Sequence, residues 1–214
     1  MVSEALAQLA PQPGQTIVDC TVGGGGHAIR IWRQMQGRGR LIGLDQDSSA
    51  LDKAREVLGR EAELIQINFR TLEQALGRLA PDGADGILFD LGVSSPQLDW
   101  AERGFSYQTD APLDMRMNQA SPLTAAELVN SLSHKELTKL ISNYGEERWA
   151  SRIAKFIVER RQRGRVETTS QLVEIILAAI PAGARRRGPH PAKRTFQALR
   201  IAVNDELGAL EEGL

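Results

Sequence analysis

The sequence has few of the residues that build covalent or metal-held scaffolds. It contains one cysteine, Cys20, among 214 residues, which excludes an internal disulfide framework and a cysteine-based zinc site. The three histidines, His27, His134 and His190, are far apart and show no metal-ligand spacing. No apolar run approaches the roughly 18 residues that a membrane-spanning helix needs, and no signal peptide opens the chain. We therefore expect a cytoplasmic protein that needs no metal and contacts no membrane.

Charge is nearly balanced overall but is unevenly distributed along the chain. The formal net charge is −1, yet residues 1–103 carry 10 Lys/Arg against 14 Asp/Glu, whereas residues 104–200 carry 16 against 9. Basic residues cluster at 160–165, 185–187 and 193–194. A basic segment of this kind either faces a polyanion or is only solvated. Nucleic acid is the partner class that this distribution suggests.

Strand-like and helix-like segments alternate along the first hundred residues. The predicted strands are short apolar runs, at Thr16–Cys20, Leu41–Leu44, Leu64–Ile67 and Ile87–Leu91. The helices predicted between them are amphipathic, at Ala28–Gln36, Ser49–Leu58 and Leu72–Leu79. Repeated βα units of this length predict an α/β fold with a doubly wound, mostly parallel sheet, which binds ligands at the carboxyl ends of its strands.

Beyond residue 103 the pattern is helical only. Two capping boxes, Thr124-x-x-Glu127 and Ser133-x-x-Glu136, each predict the start of a helix. Three more helices are predicted, over Glu146–Gln162, Gln171–Ile180 and Lys193–Leu210. The predicted organisation is an α/β domain (1–103), an inserted all-helical domain (104–192), and a helix returning to the α/β domain (193–214).

A run of glycines follows the first predicted strand, in Asp19-Cys-Thr-Val-Gly-Gly-Gly-Gly-His27. Glycine lets the backbone approach a ligand closely, and the next helix presents free N–H groups, so the loop predicts a nucleotide-like cofactor site. Other strand ends carry matching groups. Asp45 suits the two hydroxyls of a ribose, Phe69 suits an adenine face, and Asp90 follows the fourth strand.

Two cofactors compete for this loop. The glycines and Ala28 match the G-x-G-x-x-G/A pattern of nicotinamide enzymes, so a nicotinamide-dependent oxidoreductase is one alternative. Asp19, ahead of the glycines, would repel a pyrophosphate but suits the amino group of S-adenosylmethionine. No His or Tyr-Lys pair is well placed to exchange a proton beside a hydride acceptor. The sequence therefore favours S-adenosylmethionine.

Two longer motifs carry a resemblance to a known family. The first reads Asp90-Leu-Gly-Val-Ser-Ser-Pro-Gln-Leu-Asp99 and continues through Arg103-Gly-Phe-Ser-Tyr107 to Ala111-Pro-Leu-Asp-Met-Arg-Met117. The second reads Pro191-Ala-Lys-Arg-Thr-Phe-Gln-Ala-Leu-Arg-Ile-Ala-Val-Asn-Asp-Glu206. Together they closely resemble the ribosomal RNA small subunit methyltransferase H family, also called MraW, over essentially the whole chain. The resemblance implies a Rossmann-like methyltransferase that uses S-adenosylmethionine to methylate N4 of a cytidine in the decoding region of 16S ribosomal RNA. Its implied partner is small-subunit RNA or the 30S subunit, and a homodimer is left open.

The resemblance also implies roles for single residues. The family's cofactor positions fall on Gly25, Gly26, His27, Asp45, Phe69, Asp90 and Gln97. Asp90 is also the candidate catalytic group, with a role as a cofactor anchor alone as the alternative. Substrate contacts are expected at Ser94, Ser95, Lys193 and Arg194. The base pocket has further candidates in Asp114, Met115 and Arg116, although packing explains Met115 and Met117 equally well.

Compared with that family, the chain lacks two segments. One is a short His-containing piece ahead of Val2, and the other comprises strands after Glu212 that include a Ser-Phe-His-Ser-type segment. We therefore expect a chain truncated at both ends, without the final strands of the sheet, whose fourth strand leaves an unprotected edge. A catalytically inactive RNA-binding or assembly module is the alternative function that this truncation raises.

Overall fold

The computed structural model describes residues 2–94, 97, 100–185 and 189–214. The chain divides into two compact units, of which the first comprises Met1–Pro96 with Leu207–Leu214 and the second Gln97–Glu206. The predicted division returned the chain to the α/β domain at residue 193. In the structure the return comes at residue 207, because the buried face of the helix that begins at Lys193 packs among the helices of the second unit.

A four-stranded parallel sheet forms the centre of the first unit. Its strands are β1 (Thr16–Asp19), β2 (Arg40–Asp45), β3 (Glu63–Gln66) and β4 (Gly86–Leu88). They lie in the order β3-β2-β1-β4, and each neighbouring pair is parallel. The strand order reverses between β1 and β4, and ligands of such sheets bind at the carboxyl ends beside this reversal. The predicted doubly wound α/β class is confirmed.

Helices cover both faces of this sheet. They are α1 (Val2–Leu9), α2 (Gly26–Gln34), α3 (Ser48–Leu58) and α4 (Leu72–Leu79). Adjacent residues of β1 pack into separate hydrophobic cores on opposite faces of the sheet. Ile17 packs with Ile31 and Leu51, whereas Val18 packs with Cys20 and Leu72. Such burial on both faces explains why the strands read as continuous apolar runs rather than alternating ones. Burial and the nearby Asp19 raise the pKa of the Cys20 thiol to about 12.

Strand β4 is shorter than the sequence predicted. It ends at Leu88, whose carbonyl oxygen accepts a hydrogen bond from the Cys20 N–H at 2.9 Å. Two residues later the Asp90 N–H donates to the Thr21 Oγ1 at 2.7 Å instead of to a strand carbonyl. The prediction of a strand to Leu91 was therefore wrong by three residues, because a side chain replaces the backbone ladder there.

The second unit is built from helices. Those described are α5 (Ala125–Ser131), α6 (His134–Gly145), α7 (Ala150–Arg161), α8 (Thr169–Ala179), α9 (Ala182–Arg185) and α10 (Lys193–Asn204). Both predicted capping boxes are confirmed, at the starts of α5 and α6. Within the described ranges of the chain, no helix is both long enough and apolar enough to cross a membrane.

Two predicted helices of this region have different bounds in the structure. Glu146 does not start a helix but adopts a left-handed φ of 49° at the end of α6, and α7 begins at Ala150. The predicted helix Lys193–Leu210 is broken at Asp205, where a φ of 46° ends α10 before α11 (Glu206–Gly213) begins. A left-handed residue cannot continue the α-helical hydrogen-bond pattern, so each helix stops there.

Candidate cofactor site at the carboxyl edge of the sheet

The glycine loop between β1 and α2 adopts backbone conformations that side chains rarely tolerate. Gly23 has a φ of 50° and Gly25 a φ of 83°. A Cβ atom at Gly23 would lie 3.3 Å from the Ser94 Cβ, so a side chain there would also meet the segment that follows β4. A Cβ at Gly26 would meet nothing within 4 Å. The loop is therefore open at the start of α2, where helical N–H groups can receive an anionic group.

Asp19 ends β1 at the head of this loop, with 1% of its surface exposed. Its Oδ1 accepts a hydrogen bond from the Thr21 N–H at 3.1 Å. Its Oδ2 is buried and has no hydrogen-bond partner in the described part of the chain. Burial, with the nearby charges of Asp45 and Asp90, raises the pKa of Asp19 to about 7. A buried carboxylate with one unmatched oxygen is suited to a cationic ligand group.

Asp45 ends β2 and fixes the glycine loop to the neighbouring strand. Its Oδ2 accepts from the Gly23 N–H at 3.0 Å, and its Oδ1 accepts from the Asp47 N–H at 2.9 Å. Burial raises the pKa of Asp45 to about 6. The Gln46 N–H also bonds to this carboxylate, which offers about four acceptor positions and so keeps room for a ribose hydroxyl. Asp45 thus has a structural task that sequence reasoning did not foresee.

The segment after β4 is attached to the loop through Thr21. The Thr21 Oγ1 accepts a hydrogen bond from the Asp90 N–H and donates one to the Asp19 Oδ1 at 3.5 Å. The Asp90 Oδ2 is 3.4 Å from the His27 Nδ1, with 46% of the Asp90 side chain and 17% of the His27 side chain exposed. Asp90 is therefore accessible while its backbone is held. Sequence reasoning missed Thr21, whose signal was a hydroxyl directly after an acidic strand end.

Phe69 follows β3 and opens a short 3₁₀ turn, Phe69–Thr71. Its ring meets Phe89 edge to face, with centroids 5.5 Å apart and planes at 88°. A Cβ at Gly213 would lie 2.7 Å from the Phe69 carbonyl oxygen, so α11 packs directly on this backbone. The structure places Phe69 at the same edge of the sheet as Asp45. Phe89, its aromatic neighbour, was not among the predicted residues.

Not every predicted site residue lies in the first unit. Gln97, Lys193 and Arg194 belong to the second unit, where Gln97 is buried and the other two are exposed. Ser94 is half-buried beside Gly23, and Ser95 lies outside the described residues. The structure therefore brings together the loop glycines, His27, Asp45, Asp90 and Ser94. The roles of Gln97, Ser95, Lys193 and Arg194 stay predictions.

The Asp114–Met117 stretch of the first long motif is tied into the second unit by hydrogen bonds. The Asn204 side chain accepts from the Met117 N–H at 2.7 Å and donates to the Met115 carbonyl at 2.8 Å. Met115 is fully buried, and Arg116 forms a two-pronged ion pair with Asp114. These contacts support the packing explanation for the two methionines. They also connect the two long motifs, which are far apart along the chain.

The family model for the MraW methylase family matches residues 1–214. The chain belongs to the MraW methylase family. Among its relatives are proteins named Ribosomal RNA small subunit methyltransferase H from Symbiobacterium thermophilum, 58% identical over 100% of this chain and 68% of the relative, and from Heliobacterium modesticaldum, 56% identical over 100% and 70%. The one from Brevibacillus brevis is 52% identical over 100% and 69%. The resemblance inferred from the two long motifs is thus confirmed.

Membership of the MraW methylase family identifies the chain as a methyltransferase. The chain spans about 68–70% of the length of these three relatives. Among solved structures, NSun6 from Pyrococcus horikoshii with SFG is 26% identical over 42% of this chain and 23% of that protein, with a TM-score of 0.36. That overlap is too limited to support a functional argument.

Proposed function

We propose that this methyltransferase transfers the methyl group of S-adenosylmethionine to N4 of a cytidine in the decoding region of 16S ribosomal RNA. The observation that carries the cofactor assignment is the Asp19 Oδ2, buried at the head of the glycine loop with no hydrogen-bond partner in the described part of the chain. An ammonium group satisfies such an oxygen, whereas the pyrophosphate of a nicotinamide cofactor would be repelled by Asp19 and Asp45 together. The names of the relatives support small-subunit ribosomal RNA as substrate.

The residues present fit the parts of this cofactor. Asp19 suits the amino group, the N-terminus of α2 suits the carboxylate, Asp45 suits the ribose hydroxyls, and Phe69 suits the adenine. When bound, S-adenosylmethionine supplies an electrophilic methyl group on a positively charged sulfur. The protein needs neither a metal nor a covalent intermediate for such a transfer.

The difficult partner in the reaction is the cytosine amino group, whose lone pair is shared with the ring. Hydrogen-bond acceptors on its N–H groups pyramidalise the nitrogen, and in-line placement at roughly 3–3.5 Å from the methyl carbon supplies much of the acceleration. Asp90 is exposed enough to accept such a hydrogen bond through its carboxylate, whose Oδ2 also lies near His27. After transfer, its Oδ2 receives the amino proton and can share it with the His27 Nδ1, 3.4 Å away.

Charge distribution supports the RNA part of the proposal. Residues 97–206 of the second unit carry 17 Lys/Arg against 13 Asp/Glu, a net +4, whereas the first unit carries 9 against 14, a net −5. Lys193 and Arg194, which are included in this count, are the residues expected to contact RNA phosphates. A target cytosine must leave its stack for its amino group to reach Asp90 and the methyl donor at the edge of the sheet.

The decisive experiment is mass spectrometry of nucleosides from unmethylated small subunits incubated with the protein and S-adenosylmethionine. We expect N4-methylcytidine with the unchanged protein, and at least a tenfold loss with Asp45→Ala, since both the loop anchor and the ribose acceptor disappear. Asp52→Ala is the matched control, because Asp52 lies exposed on α3 and forms a surface ion pair with Arg55. RNA and cofactor binding without any product would favour the alternative, an RNA-binding or assembly module.

A further inference from the structure

The second unit contains a cavity that the proposed methyl-transfer site does not use. Its volume is about 420 Å³, and its polar lining includes Arg148, Trp149, His190 and Arg194. These residues come from the α6–α7 connection and from the segment that runs into the first turn of α10, and residues between 180 and 184 complete the lining. The cavity is therefore assembled from three separate stretches of chain within one unit.

Hydrogen-bond donors dominate this cavity. The Arg148 guanidinium lies over the Trp149 ring at 5.3 Å and has no carboxylate partner among the described residues. The Trp149 Nε1 is buried and, within the same described ranges, donates to nothing. The His190 Nδ1 accepts the Ala192 N–H at 3.2 Å, which leaves the ring proton on Nε2 as another donor. Arg194 uses one nitrogen on the Glu146 carbonyl and keeps the others.

Acceptors are scarce by comparison. The acidic lining residue is Glu147, which is 7% exposed, and its Oε1 already accepts the Trp149 N–H at 2.9 Å. A cavity with many donors and an occupied, buried acid selects a ligand rich in acceptors. A phosphate group has that chemistry, and guanidinium groups bind it with charge-assisted hydrogen bonds.

A stacking surface adjoins these donors. Tyr107 stacks on His190 with centroids 4.7 Å apart and planes at 9°, and Phe196 supports Tyr107 edge to face at 5.7 Å. One face of the imidazole is thus covered by Tyr107, while His190 as a residue is exposed. Base–aromatic stacking of this kind holds single-stranded nucleic acids with little sequence preference.

We propose that this cavity binds one unpaired nucleotide of the RNA substrate, distinct from the cytidine that is methylated. Arg148 and Arg194 hold its phosphate, and the base stacks on His190 beside Trp149. The target cytidine itself does not suit the cavity, because its amino group needs acceptors, and the carboxylate of the lining, Glu147, is buried and already accepts the Trp149 N–H. The inference rests on the proposed function in one respect, that the ligand is RNA.

A fluorescence titration with hexauridylate tests the proposal. Trp32→Phe combined with Trp100→Phe leaves Trp149 as the single tryptophan, since the chain has three. Hexauridylate contains neither adenine nor cytosine, so it avoids the proposed cofactor and target sites. We expect saturable quenching of Trp149 emission, with the dissociation constant raised about tenfold by Arg148→Gln or Arg194→Gln.

The matched control is Arg152→Gln in the first turn of α7, four residues beyond Arg148. Arg152 lies over Phe156 at 5.4 Å, the same arrangement as Arg148 over Trp149, but does not line the cavity. An unchanged dissociation constant in this variant supports the proposal. An equal loss in Arg152→Gln and in the cavity variants would overturn it, because general charge would then explain the binding.

Competition separates a nucleotide site from a site for any phosphate. Excess uridine should reduce the quenching, whereas inorganic phosphate at the same concentration should reduce it less; the reverse order would overturn the stacking part of the proposal. Absence of quenching would overturn the whole. The readout needs no methyl transfer, so binding of hexauridylate without N4-methylcytidine formation would refute the proposed function and leave the cavity assignment standing.

Discussion

At the scale of single residues, the candidate site holds two buried carboxyl groups whose ionisation destabilises the fold. Asp19 and Asp45 are both acids at strand ends, and burial raises the pKa of Asp19 to about 7 and that of Asp45 to about 6. Their folded pKa values lie above the unfolded value near 3.8, so the folded state binds their protons more tightly. Stability therefore falls as pH rises from about 4 to about 7. A cationic cofactor group offsets this cost when it binds.

Asp19→Asn should make the protein more stable and weaken its binding of the cofactor. At pH 8 the variant removes a buried negative charge while its amide oxygen can still accept the Thr21 N–H, so we expect a gain of about 1–3 kcal/mol. At pH 4.5 the wild-type acid is already protonated and the gain should nearly vanish. Thermal unfolding at both pH values measures the difference. A gain that is equal at the two pH values would contradict the charge explanation, and calorimetry should show at least tenfold weaker S-adenosylmethionine binding.

Asp90→Asn separates catalysis from cofactor anchoring. If Asp90 accepts the amino proton, we expect kcat to fall about 10²- to 10⁴-fold while the KM for S-adenosylmethionine changes little. The asparagine keeps the backbone N–H that donates to Thr21, so the loop should stay in place. Steady-state kinetics with small subunits provides the measurement. A raised KM with unchanged kcat would assign Asp90 to anchoring alone.

The sequence predicts site residues well where one local pattern determines them. The glycine loop and Asp45 follow directly from apolar runs, and the structure places them at the carboxyl edge as expected. Thr21 could not be found this way, because its partner Asp90 is 69 positions away along the chain. Phe89 could not be found from the sequence either, because its contact with Phe69 joins the ends of two different strands. Contacts between strand ends depend on strand order, which no local pattern contains.

At the scale of elements, one glycine sets the contact between α6 and α10. A Cβ at Gly145 would lie 2.5 Å from the Arg194 carbonyl oxygen and 3.2 Å from the Ala198 Cβ. Backbone atoms cannot move aside as a flexible side chain can. The two helices therefore approach more closely than any other residue at position 145 would allow.

Gly145→Ala should destabilise the protein although alanine is the better helix former. The clash with the α10 backbone should cost about 1–3 kcal/mol, more than the gain of up to about 1 kcal/mol in helix propensity. Gly77→Ala is the control, because a Cβ at Gly77 in α4 meets nothing within 4 Å. It should stabilise by about 0.5–1 kcal/mol. Urea unfolding compares the two, and a stabilised Gly145→Ala protein would refute the close contact.

Helix starts were predicted reliably where a capping box marks them, but not at Glu146, which carries no such signal. The capping boxes at Thr124 and Ser133 are local signals, and both were confirmed. The break at Asp205 was missed because the residues on either side form one continuous amphipathic pattern. The side chain of Asn204, next to the break, binds the backbone of Met115 and Met117, far away along the chain. Tertiary contacts of this kind override local propensity.

At the scale of the whole molecule, opposite net charges belong to the two units, −5 for the first and +4 for the second. RNA affinity should therefore depend steeply on salt, while affinity for S-adenosylmethionine should not. Between about 50 and 200 mM salt we expect RNA binding to weaken roughly 10- to 100-fold, because phosphate contacts release counterions. Fluorescence polarisation of labelled small-subunit RNA and calorimetry of the cofactor give the two curves. Parallel curves would contradict a basic RNA-binding unit.

The buried thiol of Cys20 makes the chain a reporter of its own local opening. Cys20 is 1% exposed, and its raised pKa of about 12 leaves almost no thiolate at neutral pH. A thiol-specific reagent can modify this protein only during excursions that expose β1, so the rate of modification counts those excursions. Cys20 directly follows Asp19, and a ligand that ties the glycine loop down should slow the same rate. The rate at which Cys20 is modified therefore reports ligand binding at the cofactor loop without any added label.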